Sequence, residues 1–199
     1  MNLAPERIMD VIHQRRSVRA YEVRQPSASV VRELLEVAVH APTAMHREPW
    51  GFAIVQDRAT LKRYSDLAKK KLRQPAVAVG WGSRVQLHGE HPAMLDEPAF
   101  NIFYDAGTLI AICVRQEGPF AEADCWLAAQ NLMLAATAKG LGSCCIGFAV
   151  RVLNTPKVKR ELGVPAEGAV VAPVIVGYPR GATPGVPRKA PEILAWVIT

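Results

Sequence analysis

Apolar side chains recur every three or four positions in several stretches of the chain, the mark of amphipathic helices. Ile8, Val11 and Ile12 predict a short helix over 5–14. Val30, Val31, Leu34, Leu35 and Ala38 predict a second, opened by Pro26-Ser27 and closed by Pro42. Leu61, Tyr64, Leu67 and Leu72 predict a third, charged helix that starts at Asp57. Continuous apolar runs predict strands instead: Phe52-Ala53-Ile54-Val55 is short and buried, Thr108–Val114 is central, and Ala169–Val176 is long. Cys144–Phe148 reads as another strand. Ala121–Lys139 is apolar on nearly every face, through Trp126, Leu127, Leu132, Met133 and Leu134. That predicts a buried helix, stopped by Gly140. Thr155-Pro156 reads as a helix start, with Thr155 as the cap.

Two stretches show no periodicity. Residues 74–100 hold Pro75, Gly80, Gly82, Gly89, Pro92 and Pro98, and read as a long variable excursion of the sort that forms lids or binding loops. From Pro179 onward the chain is rich in Pro and Gly, and Ile193–Ile198 is expected to be a last strand or an arm. Helices and strands mix without strict alternation. The expected class is therefore α+β, with a mixed or mostly antiparallel sheet flanked by helices.

Composition narrows the function. The 199 residues suit one domain over 1–199 with one sizeable core. A net charge of +6 favours anionic ligands, but the basic residues are dispersed and no DNA-reading motif or aromatic platform accompanies them, so nucleic acid is not expected. No apolar run approaches the ~18–20 residues of a membrane helix. The first residues lack the basic and apolar regions of a secretory signal, and a cytoplasmic location is expected. Cys113, Cys125, Cys144 and Cys145 form no C-x-x-C pair and no cluster with histidines, so reduced, buried thiols and no metal are expected. A phosphate-binding G-x-x-x-x-G-K-[ST] loop is absent. Gly140-Leu141-Gly142 begins a dinucleotide-like pattern, but Cys145 stands where the third Gly belongs, and the pattern follows a helix.

Four clusters carry candidate chemistry. Arg15-Arg16-Ser17-Val18-Arg19 sets three guanidinium groups and a hydroxyl within one short run, and guanidinium forks match phosphate oxygens. If helical, the run puts Arg15 and Arg19 on one face. The plainer reading is a basic patch complementing a helix C-terminus. Ala41–Trp50 packs Pro42, Thr43, Ala44, His46, Glu48, Pro49 and Trp50 between a helix and a strand; it can offer donors to a planar heterocycle or simply be a rigid connection. Gly140–Phe148 lets backbone approach either a ligand or another backbone closely. Pro187-Arg188-Lys189-Ala190-Pro191 is by itself a basic turn.

Taken in order, these clusters resemble the nitroreductase family of FMN-dependent oxidoreductases. The carriers are Arg15–Tyr21, Ala41-Pro42-Thr43-Ala44 with Glu48-Pro49-Trp50, Gly140–Cys144, and Val176-Gly177-Tyr178-Pro179 followed by Arg188-Lys189. The likeness covers nearly the whole chain apart from 74–100. It implies a sheet-and-helix fold in an intertwined homodimer, with FMN at the subunit interface. Carried over, Arg15 and Ser17 hold the FMN phosphate, with Arg188 approaching from the C-terminal side. Arg16 contacts the flavin or ribityl region, and Arg19 lies beside the pyrimidine edge. Pro42, Thr43, Ala44 and His46 come from the partner subunit, while Ile146 and Gly147 give backbone contacts near the flavin N5.

The resemblance also implies the chemistry. NADH or NADPH gives hydride to flavin N5 and leaves; an electron-poor small molecule, such as a nitro compound or quinone, then takes the electrons. No side-chain acid or base is required. Arg19 serves as an electrostatic stabiliser of the negative charge near N1 and O2. Many relatives have Asn and Gln where this chain has His46 and Glu48, and an ionised Glu only accepts hydrogen bonds, so Glu48 is expected to bond protein groups. His46 is expected to be a ribityl partner, a pH-sensitive group near the substrate or a structural residue. The alternative function is a flavin-binding protein without NAD(P)H turnover, one that senses, stores or cannibalises flavin.

Overall fold

β-Branched residues alternate through Thr108–Val114 (β2) so that Leu109, Ala111 and Cys113 enter one apolar cluster and Ile110, Ile112 and Val114 the other. Burial on both faces explains why the run is apolar throughout. This computed structural model describes residues 5–73 and 93–198. In chain order its elements are α1 (Pro5–Gln14), α2 (Ala28–Ala38), β1 (Trp50–Val55), α3 (Arg58–Leu72), β2, α4 (Ala121–Ala138), β3 (Gly142–Cys145), α5 (Val150–Leu153), α6 (Pro156–Glu161) and β4 (Ala169–Gly177). The four strands form one antiparallel sheet in the order β1-β2-β4-β3. The α+β expectation stands.

Helices cover both faces. α2 and α4 pack together on one side, over Ile110, Ile112 and Val174; α3 and α5 cover the other, over Leu109 and Ile175. Helix starts follow their sequence signals. The Ser27 hydroxyl accepts the Val30 N–H at 3.4 Å, and the Asp57 carboxylate accepts the Thr60 N–H at 2.8 Å. α4 stops where Gly140 takes φ +70, with Gly140 N–H bonded to Thr137 O and Leu141 N–H to Ala136 O. That pair of bonds is a Schellman motif, which leaves the chain aimed straight into β3. Pro173 sits inside the central strand β4, in register with Ala111, and the strand bulges two residues before it, where Val171 is the extra residue between the pairs Ile112–Ala172 and Cys113–Val170.

Several expectations are corrected. The strand expected over Cys144–Phe148 pairs only through Cys145; Ile146 makes a last bond to Pro173 O, and Gly147–Ala149 turns as 3-10 helix. Thr155 precedes α6 with extended backbone, but its hydroxyl donates to Val152 O at 2.8 Å and caps nothing. In α4, Leu132 is fully buried, yet Trp126 and Leu127 are 41 % and 44 % exposed, contrary to the expectation of burial all round. Ile193–Ile198 joins no strand. Of the excursion expected over 74–100, residues 74–92 lie outside the described residues, and Ala93–Asp96 is a 3-10 turn.

Candidate functional site

The basic run is not a helix. α1 ends at Gln14, and Arg15–Arg19 continues as extended chain laid parallel against β3, with a bridge from Ser17 to Ser143 and Val18 N–H bonded to Ser143 O at 3.0 Å. A side chain at Gly142 would forbid this: its Cβ would stand 2.7 Å from Val18 Cβ. Two residues beyond Arg19, the Tyr21 hydroxyl donates to Val18 O at 2.8 Å, and its ring fills the space over Gly177, where a Cβ would come within 2.8 Å. Burial pushes the Tyr21 phenol far up, so it remains a donor.

The C-terminal chain zips onto the same ribbon. Tyr21 bridges Pro179, Glu22 N–H bonds Tyr178 O at 2.9 Å, and Arg180 N–H bonds Ala20 O at 2.9 Å. Further along, Gly185 lies against the Arg16 guanidinium, with an ideal Cβ 3.2 Å from its Nη2. Arg16 also donates to His13 O and Arg15 O, so it caps the end of α1, as the plainer reading of the run holds. Arg188 is exposed, three residues beyond Gly185.

Arg15, Ser17 and Arg19 alternate along the extended ribbon, so their side chains fall on one face, beside Cys144 of β3. Burial raises this thiol's pKa; Arg19, the Ser17 hydroxyl and Arg15 pull the other way and do not overcome it. Burial likewise pushes Cys145 up to about 12. Both sulfurs are therefore neutral thiols near pH 7 and not nucleophiles. A cleft of about 240 Å³ opens here, lined by Arg19, Tyr104 and Cys144–Phe148. Ile146 and Gly147 are thus brought beside Arg19, and a Cβ on Gly147 would meet nothing within 4 Å.

No sequence motif marks Tyr104. Its ring lies under the Arg19 guanidinium at 5.9 Å and edge-on to Phe100 at 5.5 Å. Lys69, only 8 % exposed, anchors the approach to it by donating to the carbonyls of Glu97, Pro98 and Phe100. A lysine in the last turn of a basic helix gives no hint in sequence that it turns inward.

The Pro42–His46 loop lies elsewhere. Ala44 N–H donates to both carboxylate oxygens of Asp124, at 3.2 and 3.3 Å, in the first turns of α4. The Arg15–Arg19 ribbon lies beyond the other end of that helix, against Gly142. Asp124 stands fourteen residues, about 21 Å of helix, before the end of α4, and none of Pro42, Thr43, Ala44 or His46 lines either cleft that Arg19 lines. Met45, His46 and Glu48 all have left-handed backbone, with φ of 55, 50 and 46. His46 and Glu48 are exposed, and Trp50 is in the core, as the plainer reading of this loop has it. Asp124 is a second residue that sequence reasoning misses. The signal for it is weak, one of two acids, with Glu122, at the start of a largely apolar helix, and it is 4 % exposed.

Known proteins resemble this chain in sequence and fold. A profile described as the Nitroreductase family matches residues 12–178. A nitroreductase with bound FMN from Bacteroides fragilis superposes with a TM-score of 0.75 at 28% identity, over 96% of this chain and 98% of that one. An iodotyrosine deiodinase from Thermotoga neapolitana is 27% identical over 92% of this chain and 94% of its own. An NADH dehydrogenase from Thermus thermophilus is 28% identical over 83% of each.

Proposed function

Because the chain belongs to the nitroreductase family, we propose that it is an FMN-dependent oxidoreductase that draws hydride from NADH or NADPH and delivers electrons to an electron-poor small molecule. The observation that carries this reading is the placement of Arg15, Ser17 and Arg19 along one extended ribbon beside the cleft that holds Ile146 and Gly147. The residues fit a flavin nucleotide. Two guanidinium groups and a hydroxyl supply donors for its phosphate and pyrimidine edge, and the bare backbone at Gly147 leaves room for a flat ring.

FMN, when bound, supplies the hydride and electron chemistry. Arg15 and Ser17 bind its phosphate, and Arg188 approaches the same group from the C-terminal strip. Arg16 steadies the end of α1 and borders the ribityl region. Arg19 offers fixed positive charge where negative charge develops at the pyrimidine edge, inside a cleft drier than water. Ile146 and Gly147 present backbone groups to the reactive edge. Cys144 and Cys145, kept neutral by burial, take no part.

The site is completed by a second copy of the chain. The Pro42–His46 loop lines neither cleft that holds Arg19, which supports its serving the partner's flavin. Three unpartnered apolar features support a homodimer: Trp126 and Leu127 on α4, Ile8, Met9 and Ile12 on α1, and a C-terminal tail whose Leu194, Trp196, Val197 and Ile198 are each at least 74 % exposed. An arm that reaches the partner is the form proposed for Ile193–Ile198, where a last strand or an arm is expected from sequence. A single domain over 1–199 and a cytoplasmic location complete the proposal; no helix among the described residues is long and apolar enough to cross a membrane.

The test is spectroscopic. The protein reconstituted with FMN should show oxidised-flavin absorption, lose it on addition of NADH or NADPH, and recover it with a quinone. A flavin that binds but never bleaches would instead support storage or sensing.

A further inference from the structure

Arg19 lines two clefts. One lies beside Ile146 and Gly147; the other, of about 340 Å³, opens across the wall that Arg19 forms with Tyr104. The second cleft gathers Arg19, Arg58 and Arg180, with Glu22 and Asp105 as its carboxylates. Glu22 pairs with Arg24 at 2.7 Å, and Asp105 accepts the Asn101 amide at 2.8 Å. With the Glu22–Arg24 pair counted as neutral, three guanidinium groups face one carboxylate, so the cleft draws anions. Arg58 donates to the carbonyls of Asp105 and Val23, which fix its position and leave its charge without a counter-ion among the described residues. Arg180 is anchored through its backbone, whose N–H bonds Ala20 O at 2.9 Å, and its guanidinium meets no acceptor among the described residues.

The wall behind this charge is built rigidly. Phe100 and Tyr104 stand edge to face, and the Arg19 guanidinium lies over the Tyr104 ring. Tyr104 and Asp105 both adopt left-handed backbone, with φ of 52 and 56, which a bulky residue does not take without support. Tyr104 N–H bonds Asn101 O at 2.8 Å, Phe103 N–H bonds Asn101 Oδ1 at 3.0 Å, and Lys69 holds Phe100 O at 2.8 Å. A wall fixed in advance loses little freedom when a ligand arrives.

We propose that this cleft binds a phosphate group, free or as a small monoester, and that the bound anion acts on the flavin site through Arg19 while staying outside the electron transfer. Guanidinium forks match phosphate oxygens, and Arg180 is the fork left to meet them. The volume leaves room for a small organic group beside the phosphate. The coupling follows from the shared wall. Arg19 offers its charge to the reduced, anionic flavin; an anion across the wall offsets that charge, so the reduced form loses stabilisation and the reduction potential falls. This coupling rests on the reading of the adjoining cleft as the FMN site. By linkage, phosphate binds the oxidised protein more tightly than the reduced one by the same factor.

Calorimetric titration of the FMN-loaded protein with inorganic phosphate and with phenyl phosphate tests it, with chloride holding the ionic strength constant. Both probes should bind. Tighter binding of phenyl phosphate assigns the cleft to monoesters, and equal binding assigns it to free phosphate. Arg180→Gln should weaken both about tenfold or more, the margin of one charge-assisted hydrogen bond. Glu22→Gln frees the Arg24 charge and should tighten both, a gain that no loss of folding produces. Potentiometry of the bound flavin reads the coupling. Saturating phosphate should lower the wild-type potential, by about 30 mV for a tenfold bias against the reduced form, and the same concentration should lower it less in Arg180→Gln. No binding of either probe, an Arg180→Gln variant that binds both as wild type does, or a potential that saturating phosphate leaves unmoved would each overturn the proposal. Wild-type protein that takes up no FMN defeats the cofactor reading, while phosphate binding to that apo-protein, and its dependence on Arg180 and Glu22, still decides this one.

Discussion

Val18 rests directly on the bare backbone of Gly142, and this contact sets the distance between the arginine ribbon and the sheet. A methyl group at Gly142 would meet Val18 Cβ, Cγ1 and Cγ2 at 2.7–2.8 Å, so one of the two strips must move. Gly142→Ala should lower stability by about 1–3 kcal/mol, as overpacking does, and weaken FMN binding because Ser17 and Arg19 shift with Val18. Thermal melts and an FMN titration of the same sample check both halves.

Arg15 should contribute to cofactor retention through charge and shape together. Arg15→Ala should cost roughly 1.5–3 kcal/mol of FMN affinity, or about 10–150-fold, the worth of a charge-assisted contact. Arg15→Lys should recover only part, since an ammonium lacks the guanidinium fork. Titration of apo-protein with FMN measures both, and an unchanged affinity in the alanine variant removes Arg15 from the site.

Asp124 holds the Pro42–His46 loop by one backbone N–H. Removing the carboxylate in Asp124→Ala leaves the Ala44 N–H without its acceptor, at about 1–3 kcal/mol. Asp124→Asn keeps an acceptor oxygen and should cost less. Urea unfolding of the three proteins ranks them, and a stability equal to wild type in the alanine variant rules out the anchoring role.

Glu161 ties α6 to α3. The Arg63 guanidinium, with the Tyr64 hydroxyl, holds its carboxyl below the ordinary 4.5. A depressed folded pKa contributes stability above the unfolded value, and that contribution is lost as pH falls through the folded one. Glu161→Gln should therefore show a shallower loss of melting temperature than wild type on acidification below about pH 4.5. Asp57, depressed by its Thr60 bonds, acts in the same direction and remains in both proteins.

Elements governed by local periodicity are legible in the amino-acid sequence. β2 falls on Thr108–Val114 and α3 follows its Asp57 cap because burial on fixed faces writes itself into the order of residues. Misreadings arise where a distant partner decides. Phe148 is as apolar as a strand residue, but among the described residues no strand pairs with it, and the chain turns at Gly147. The four-residue α5 is too short to show a period. Trp126 and Leu127 look like core because apolarity does not say whose surface covers it. In the candidate site, the arginine ribbon and the glycine strip are readable as motifs. Tyr104 and Asp124 are not, since each works through a contact made across the fold.

The stitching of Tyr21 to Pro179 and of Ser17 to Ser143 also orders events in time. Ser17 is synthesised 126 residues before Ser143, and Tyr21 158 residues before Pro179. A nascent chain arrested before Gly177 carries every one of Arg15, Ser17 and Arg19 yet lacks part of the surface that holds them in line. Cofactor uptake is therefore expected to follow synthesis of the Gly177–Arg180 strip, so coloration of the protein doubles as a report on the docking of that strip.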